Sequence, residues 1–375
     1  MIFSLIKGLI RLLTLIFSLG LLLSYASGLI SPVKLWFFQL FGLAYPVLLT
    51  GTVIFFILNL LFRKKFILPL TILLIGTFTH AKYFGFEIIS SKGQNVNSET
   101  TSELNIMSFN VRLFDVYKLV EPKLENSKEE FISFFKNNPS DVLCLQEYAE
   151  DKTRASLISL QDIQRVGEYK YNVKTLTLEA NKMHLGQAIF SKYPIINSGT
   201  IGDSTANIPS LFADIVKGED TIRVYNFHLE SIRFQKDEYS LFDNSIISDK
   251  DYSQRVTGLL SKLKVAYPLR IQQANQILNH AKRSPYSTIL CGDLNDPPTS
   301  YTYSLLTKQF KDAFYVADFG MTRTYAGKVP AGRIDYIMYN GNLQPMAFKT
   351  YNEKVLSDHY AISSSFVFRE NKVME

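Results

Sequence analysis

The stretch STILCGDLNDPPTSY, residues 287–301, starts as a short apolar run and ends in polar side chains. Thr288 to Cys291 is β-branched and apolar, which predicts a buried strand. Asp293 and Asn295 follow directly, together with a further aspartate and two prolines. Carboxylates and amides at a strand end occur both in ordinary turns and in active sites. The rest of the sequence decides between these two interpretations.

Five other segments share this pattern of an apolar strand-like run with a polar side chain at or near one end. They are IMSFN with Asn110, VLCLQE with Glu147, VYNFHLE with His228, RIDYI with Asp335, and VLSDHY with Asp358 and His359. Each segment alone is weak, because a glutamate at a strand end is commonly solvated and a lone histidine is commonly a satisfied core residue. Together with the first stretch they supply four carboxylates, two asparagines and two of the five histidines in the chain.

This combination of side chains suits metal-assisted hydrolysis of phosphate esters. Oxygen ligands without clusters of cysteine favour Mg²⁺, or Mn²⁺ or Ca²⁺, over structural zinc. The metal would neutralise the phosphoryl oxygens, the imidazoles would exchange protons near neutral pH, and the amides would hold the phosphate in line for attack by water. The two cysteines, Cys144 and Cys291, lie within apolar runs, which predicts small buried thiols.

In their order along the chain, the motifs SFN, LQE, NFHL, GDLND, RIDYI and SDH resemble those of the endonuclease/exonuclease/phosphatase superfamily, the DNase I-like metal-dependent phosphoesterases. The resemblance covers about residues 105–366, and unrelated sequences rarely supply every motif in this order. It implies an α/β (α+β) fold, a DNase I-like two-layer β-sandwich flanked by helices with the active site at one edge. It also implies a phosphoric ester hydrolase.

The resemblance further implies roles for the polar side chains. Glu147 resembles the principal metal carboxylate and is supported by Asn110, while Asp358 would reach the metal directly or through water. Asp293 and Asn295 resemble the pair that positions the attacking water and the phosphate. On this basis the stretch that follows the strand at 288–291 is interpreted as catalytic.

Histidines complete the set of roles that the resemblance implies. Asp335 resembles the orienting partner of His359, holding the imidazole and raising its basicity. His228 stands where the DNase I, sphingomyelinase and inositol-phosphatase branches carry histidine and where abasic-site endonucleases carry tyrosine. Whether His228, His359 or Asp293 is the general base, and which group is the acid, stays open.

The first 86 residues are apolar and basic, with seven lysines and arginines and no acid. The rest of the chain holds 33 bases against 34 acids, so it is close to neutral. The positive net charge therefore predicts membrane topology and not a surface for binding nucleic acid. Three apolar stretches predict about three transmembrane helices in residues 1–86, at Leu12–Ile30, Phe37–Phe62 and Phe66–Ala81.

The basic residues between these stretches predict the orientation of the chain in the cytoplasmic (inner) membrane. Lys7, Arg11 and the cluster at 63–65 favour the cytoplasmic side, so the N-terminus lies inside and everything after the third span lies outside. In an alternative interpretation the first stretch is a signal peptide, because Ser24 and Ala26 are the small residues that a signal peptidase requires. Both interpretations put the C-terminal part on the extracytoplasmic side.

After the membrane region, the sequence predicts a polar linker at 87–103 and a catalytic domain at 104–375. A helix is predicted from Leu269 to Ser284, where apolar residues recur at helical spacing. The preceding segment, Ser231–Tyr267, is long for a connection and rich in aromatic and charged residues. It is either a substrate-facing or membrane-facing segment or a surface excursion.

Three functions follow from these features. The leading hypothesis is a membrane-tethered phosphoesterase that hydrolyses phosphodiester or phosphomonoester bonds, with phospholipid headgroups as candidate substrates. The alternative is a membrane-anchored endonuclease or exonuclease acting on extracytoplasmic nucleic acid, which the near-neutral charge of the catalytic domain disfavours. A non-enzymatic scaffold with a decayed site is disfavoured because every catalytic-type position is filled. The substrate and the oligomeric state stay open.

Overall fold

The computed structural model describes residues 2–62, 66–86, 103–118, 126–151, 156–180, 183–202, 209–232, 249–327 and 332–369. Apart from Glu103, the predicted linker lies outside these residues, as does the part of the predicted long connection at 233–248.

The described chain before residue 87 is almost entirely helical. Its helices are α1 (Ile2–Ser27), α2 (Pro32–Leu35), α3 (Phe38–Leu43), α4 (Tyr45–Leu61), α5 (Ile67–Ile75) and α6 (Thr77–Ala81). One candidate membrane span, Leu5–Ser27, is long and apolar enough to cross a bilayer, although a signal sequence would meet the same criterion. The second and third predicted stretches are interrupted, because α4 begins anew beside Pro46 and α5 ends at Gly76.

These helices bury polar side chains and expose apolar ones. Helices α1, α4 and α5 contact one another, and between α1 and α4 the Asn59 Nδ2 donates to Thr14 Oγ1 at 2.7 Å. Ser18, Ser24 and Thr52 are also buried here. Of the 34 large apolar side chains that are exposed in the described residues, 26 lie before residue 87. Apolar side chains therefore dominate the exposed surface of these helices, although Leu21, Tyr45 and Ile72 are buried among them.

The remaining described chain forms fourteen strands and five further helices, which are named here in chain order. The strands are β1 (Gly85–Phe86), β2 (Leu104–Asn110), β3 (Val142–Glu150), β4 (Tyr171–Ala180), β5 (Met183–Ser191), β6 (Ile195–Ile201), β7 (Ser210–Lys217), β8 (Asp220–His228), β9 (Ser287–Asp293), β10 (Lys311–Asp312), β11 (Phe319–Gly320), β12 (Asp335–Tyr339), β13 (Leu343–Tyr351) and β14 (Ala361–Phe368). The helices are α7 (Ser127–Asn137), α8 (Leu160–Gly167), α9 (Asp249–Ala281), α10 (Tyr301–Leu306) and α11 (Ala313–Ala317).

Twelve of these strands form two six-stranded sheets packed face to face. One sheet has the order β13-β14-β2-β3-β5-β4 and the other β10-β12-β9-β8-β7-β6. Between them lies a core that includes Ile106 and Cys144 from the first sheet and Val224 and Cys291 from the second. Helices α7 and α8 cover the first sheet, and α9 and α10 cover the second. The predicted two-layer sandwich with outer helices is confirmed, and both cysteines are free, buried thiols.

Strand β9 is apolar along its length because it is buried on both faces. Ile289 and Cys291 face the core between the sheets, while Leu290 packs under the outer helices. A strand covered on both sides lacks the alternation of a half-exposed strand. The predicted strand at 288–291 therefore extends from Ser287 to Asp293.

Helix α9 is longer than the sequence predicts. It begins at Asp249, so the second half of the predicted long connection is helical. The pattern predicts a start at Leu269 because Pro268 cannot donate a hydrogen bond to the carbonyl four residues earlier. Leu263 and Tyr267 are nevertheless buried, and this packing outweighs the cost of the proline.

The helical region is attached to the sandwich by a set of hydrogen bonds that we call the joint. Ser27 Oγ donates to the Thr299 carbonyl at 2.8 Å, and Thr299 Oγ1 donates to the Gly42 carbonyl at 2.9 Å. On the other side of the joint, an Arg333 guanidinium nitrogen donates to the Lys82 carbonyl at 3.0 Å. The joint therefore contacts the loop that follows β9 and the residues that precede β12.

Candidate active site

The catalytic-type residues meet where strands of both sheets end at one edge of the sandwich. His228 ends β8, Asp293 ends β9 and Asp335 begins β12. The register pairs Asp293 with His228 on one side and with Asp335 on the other. Asn110 reaches this row from β2 in the opposite sheet, where its Nδ2 lies 3.3 Å from Asp293 Oδ2. Strand register thus aligns three of the predicted residues, and the packing of the two sheets adds Asn110.

Glu147 reaches the site through a β-bulge. The pairing of β3 with β5 shifts register between Leu145 and Tyr148, and Glu147 has a φ of 50°. Such a left-handed conformation costs about 1–3 kcal/mol for a residue other than glycine. The bulge lets Gln146 turn into the core, where its Nε2 donates to Asn226 Oδ1 at 2.6 Å, while Glu147 turns to the pocket. The sequence pattern puts Glu147 at a strand end, but β3 continues for three more residues.

Asp293 is the buried centre of the site. Its Oδ2 lies 3.5 Å from His228 Nε2 and 3.7 Å from His359 Nε2. Its Oδ1 accepts a hydrogen bond from the Asn295 N–H at 2.7 Å. Burial raises the pKa of the Asp293 carboxyl to about 6, against the opposing effect of the two imidazoles. This carboxyl therefore gains and loses a proton close to neutral pH.

Asp335 and His359 form a tightly held pair. Both Asp335 carboxylate oxygens accept from His359 Nδ1, at 3.1 and 2.9 Å, so His359 Nε2 points towards Asp293. The Tyr325 ring lies edge-on to the imidazole at 5.1 Å and fixes its plane. Burial alone would lower the pKa of His359, but the Asp335 and Asp293 carboxylates outweigh it and raise that pKa well above its usual value. The predicted pairing of Asp335 with His359 is thus present as a contact.

The pKa of His228 is shifted in the opposite direction from that of His359. Its Nε2 is 3.8 Å from Glu147 Oε1 and 3.5 Å from Asp293 Oδ2. Burial lowers the pKa of His228, and the charge on His359 adds to that effect, although the Asp293 carboxylate opposes it. The pocket therefore holds one imidazole that favours its protonated form and one that favours its neutral form. Such a split between neighbouring groups is typical of acid–base sites.

Asn295 links the two loops that flank the pocket. Its Nδ2 donates to the Leu229 carbonyl at 3.0 Å, and the Leu229 N–H donates to the Asp293 carbonyl at 2.9 Å. The φ of Asn295 is 54°, a conformation that asparagine tolerates better than most residues. Its position beside Asp293 agrees with the sequence prediction.

Asp358 lies at the mouth of the pocket and forms an ion pair with a residue that the sequence analysis missed. Its Oδ2 is 3.4 Å from Arg112 Nη1. Arg112 starts a run of four consecutive left-handed residues, 112–115, with φ values of 43° to 56°. This run turns the chain back after Asn110. Nothing in the sequence indicates it, because none of the four residues is a glycine.

Arg270 is a second missed residue, and it braces the two loops beside the pocket. Its Nε donates to the Glu230 carbonyl at 2.7 Å, and its Nη1 lies 2.5 Å from Asp296 Oδ1. Both charged side chains are buried. A sequence signal exists, since Arg270 interrupts the apolar face of the predicted helix beside Ile271 and Ala274.

The donor set of the pocket fits a divalent cation. Among the described residues, ligand atoms of Asp293, Asp335 and His359 lie within 4.8 Å of one another. This group differs from the predicted ligands around Glu147, and a metal there would have to replace the hydrogen bonds between Asp335 and His359. Burial and the Asp358 charge raise the pKa of Glu147. The negative charge at Glu147 is therefore poorly compensated, and a cation would stabilise it.

Comparison with known proteins identifies the family. A sequence model described as the Endonuclease/Exonuclease/phosphatase family matches residues 107–359, which is about two thirds of the chain and includes every residue of the pocket. A second model, described as Domain of unknown function (DUF8431), matches residues 7–83. No curated protein matches the sequence.

Solved structures of low sequence identity share the fold. An endonuclease/exonuclease/phosphatase from Beutenbergia cavernae is 15% identical with a TM-score of 0.51, covering 71% of this chain and 72% of that one. One from Bacteroides vulgatus is 14% identical with a TM-score of 0.52, covering 72% of this chain and 100% of that one. Members of the matched family hydrolyse phosphoester bonds and generally depend on a divalent metal. This chain belongs to the endonuclease/exonuclease/phosphatase family.

Proposed function

We propose that this protein is a membrane-tethered, metal-dependent phosphoesterase that hydrolyses phosphodiester or phosphomonoester bonds by attack of water. The observation that carries the proposal is the environment of a single carboxylate. Asn110, His228 and His359 all approach Asp293 Oδ2 to within 3.7 Å. A carboxylate with a pKa near neutrality, between two imidazoles of opposite protonation preference, suits proton transfer in ester hydrolysis.

We place the cation at Glu147, with Asn110 in support and Asp358 at the mouth. A divalent metal there would neutralise the charge on the phosphoryl and leaving oxygens. Asn110 Nδ2 lies 3.2 Å from Glu147 Oε1, so the two side chains face the same space. A metal held by Asp293, Asp335 and His359 is less suitable, because both carboxylate oxygens of Asp335 already accept a hydrogen bond from His359 Nδ1.

The remaining side chains then have distinct tasks. Asp293 Oδ2 accepts the proton of the attacking water, because Asp293 Oδ1 is held by the Asn295 N–H. His359 Nε2, kept charged by Asp335, donates a hydrogen bond to a phosphoryl oxygen. His228 favours the neutral form, and its Nε2 lies 3.5 Å from Asp293 Oδ2, so it can take up the proton that Asp293 removes from water and pass it to the leaving oxygen.

The helical region supports tethering through the path of its chain. Helix α1 runs from the end that carries Lys7 and Arg11 to Ser27 at the joint. Helix α4 begins near the joint, where Tyr45 stacks on Tyr83, and runs back to Leu61, which the basic residues 63–65 follow in the sequence. Helices α5 and α6 return to the joint. With the basic end in the cytoplasm, the catalytic domain lies on the extracytoplasmic side.

The lengths of these passes differ. The 26 residues of α1 extend about 39 Å and the 17 residues of α4 about 25 Å, against a hydrocarbon core of about 30 Å. As a continuous helix, residues 67–81 would extend about 22 Å, which is shorter than the hydrocarbon core. Flanking residues or local thinning of the bilayer must therefore make up the difference. Retention of α1 is favoured over cleavage, because its loss would leave Asn59 and Thr52 without the helix that covers them.

Phospholipid-type esters are the proposed substrates, since the catalytic domain carries no excess of basic residues with which to bind nucleic acid. The test uses the purified full chain with Mg²⁺, offered phospholipid vesicles and plasmid DNA in parallel. The proposal predicts release of headgroup phosphate with the plasmid intact. Nicked plasmid with intact lipid would favour the anchored nuclease, and no turnover of either would overturn the enzymatic proposal.

A further inference from the structure

An exposed apolar surface lies at the side of the sandwich that adjoins the helical region. We call it the rim and define it as Phe86, Phe319 and Met321, which are 47%, 71% and 81% exposed. Strand β1 pairs antiparallel with β11, so that Phe86 lies opposite Phe319. The Phe84 ring contacts both of these rings at 5.3 Å. Phe86 and Phe319 are therefore joined through Phe84 in one aromatic surface, and Met321 follows two residues after Phe319.

The rim is unusual for the catalytic domain. Among the described residues after Phe86, eight large apolar side chains are exposed, and Phe319 and Met321 are the two most exposed of them. Exposed apolar side chains that adjoin one another mark a contact surface, whereas scattered ones need no explanation.

The position of the rim relative to the helices identifies what covers it. Helix α6 ends at Ala81, and Lys82 is held at the joint by Arg333. Phe86 follows only five residues after that helix end, so the rim lies where the helical region meets the sandwich. Aromatic side chains at this level of a membrane protein lie at the boundary between hydrocarbon and headgroups.

The rim is also close to the catalytic pocket. The chain needs four residues from Met321 to Tyr325, a distance of at most about 14 Å. Tyr325 packs edge-on against His359, and Thr324 Oγ1 accepts the Asp335 N–H at 3.0 Å. A single short segment thus connects the apolar surface to the Asp335–His359 pair.

We infer that the rim inserts into the extracytoplasmic leaflet and holds the catalytic pocket at headgroup level, so that the substrate is a phosphate ester carried by a lipid of the same bilayer. This inference rests on the proposed function. The bilayer is the occupant that the geometry selects, because the helical region already fixes the membrane beside Phe86. A second copy of the chain or another protein would have to displace lipid from this position.

Fluorescence of the full chain in vesicles tests the insertion without any need for activity. Trp36 is the single tryptophan of the chain and is replaced first, as Trp36→Phe. In that background, Phe319→Trp and Met321→Trp report on the rim. Ile196→Trp is the matched control, since Ile196 is 58% exposed on β6, an edge strand of a six-stranded sheet that does not include the rim strands β1 and β11.

Brominated acyl chains should quench the emission of the tryptophans at positions 319 and 321 and leave that of the tryptophan at position 196 unchanged. Emission at 319 and 321 that is insensitive to bromination would overturn the inference. Emission at these positions that instead depends on protein concentration would assign the rim to contact between copies, which also overturns it.

A kinetic comparison tests the substrate class. Phe319→Asp and Met321→Asp put a charge on the rim and should lower the ratio of vesicle-lipid turnover to soluble-ester turnover at least about tenfold, since a charge is costly to place among acyl chains. Ile196→Asp should leave the ratio unchanged. An unchanged ratio in the rim variants would overturn the inference while the proposed function stands. No turnover of either ester by the parent chain would overturn the proposed function, and the quenching result would still decide on insertion.

Discussion

In the β-sandwich, Ile289 and Cys291 of β9 are buried between the sheets, whereas in helix α1 the buried positions include Thr14, Ser18 and Ser24. Most leucines of α1 face outwards instead, although Leu21 is buried. Both arrangements follow the same rule, because each region hides the side chains that its surroundings solvate poorly. This is the burial expected if water surrounds the sandwich and, as proposed above, hydrocarbon surrounds the helices.

A second difference concerns what the buried polar groups do. In the helical region they pair locally, as Asn59 does with Thr14, and thereby hold helices together. In the sandwich they converge on one edge, where Asp293 and its neighbours have shifted pKa values. Polar burial in the first region is structural, whereas the sandwich combines structural polar groups such as Asn226 with the group at the catalytic edge. The predictions below test this contrast from the largest expected effect to the smallest.

Asp293→Asn should have the largest effect. The amide cannot accept a proton and cannot balance the charge on His359, so turnover of a phosphate ester should fall by about 10³-fold or more with the fold intact. Circular dichroism and steady-state kinetics are the measurements. Asp220→Asn, at the exposed start of the neighbouring strand β8, should keep parental turnover. Parental turnover in Asp293→Asn would refute the role given to this carboxylate.

Arg270→Met tests the brace between the two active-site loops. It leaves Asp296 buried without its partner, which should lower the free energy of unfolding by about 3–5 kcal/mol. Arg165→Met removes an ion pair with Asp162 in which the arginine side chain is 72% exposed, so it should cost less than about 1 kcal/mol. Denaturant unfolding in detergent compares the two variants. Equal losses would contradict the brace.

Asn226→Leu tests polar burial in the sandwich. Asn226 accepts from Gln146 and donates to the Leu145 and Ala188 carbonyls at 2.8 and 3.0 Å. Its loss removes one hydrogen bond from each of three buried groups, although Gln146 Nε2 still donates to Ser108 Oγ, and an unsatisfied buried group costs about 1–3 kcal/mol. We therefore expect a loss of at least about 3 kcal/mol in the free energy of unfolding, measured by chemical denaturation. A neutral result would indicate that the core rearranges around the leucine.

Asn59→Leu makes the same change in the helical region and should have the smallest effect. Hydrogen bonds between helices in a bilayer contribute about 0.6–2 kcal/mol, and Thr14 Oγ1 would keep its hydrogen bond to the Ile10 carbonyl. Steric trapping or thermal unfolding in bicelles would measure it. If Asn59→Leu destabilised the chain as strongly as Asn226→Leu, the helical region would be packed like the interior of a water-soluble protein and the contrast would fail.

Individual strands could be predicted from the sequence because strands that are buried on both faces leave continuous apolar runs, as in β9, and the resemblance of the motifs to a family implied the fold and the residues of the pocket. Strand register then brings the polar side chains together, because it aligns His228, Asp293 and Asp335 at one edge of the sheet. The bulge at Glu147 could not be predicted, because it depends on the pairing of β3 with β5 and no glycine marks it.

Other features depend on contacts between distant parts of the chain. The hydrogen bond between Ser27 and Thr299 joins residues 272 positions apart, and no local pattern indicates such a joint. The start of α9 was missed for a related reason, since burial of Leu263 and Tyr267 outweighs the local effect of Pro268. The breaks in the second and third apolar stretches occur at Pro46 and Gly76. A prediction from hydropathy alone does not take these helix-breaking residues into account.

Cation binding is the most direct test of the proposed active site, in which Glu147 holds a divalent metal beside Asp293. Titration of the full chain with Mn²⁺, followed by calorimetry or electron paramagnetic resonance, should show saturable binding that weakens at least about tenfold in Glu147→Gln. Glu179→Gln, at an exposed position on β4, is the matched control and should bind like the parent chain. Unchanged binding in Glu147→Gln, or binding that is lost only when Asp335 is changed, would contradict the proposed position of the metal at Glu147.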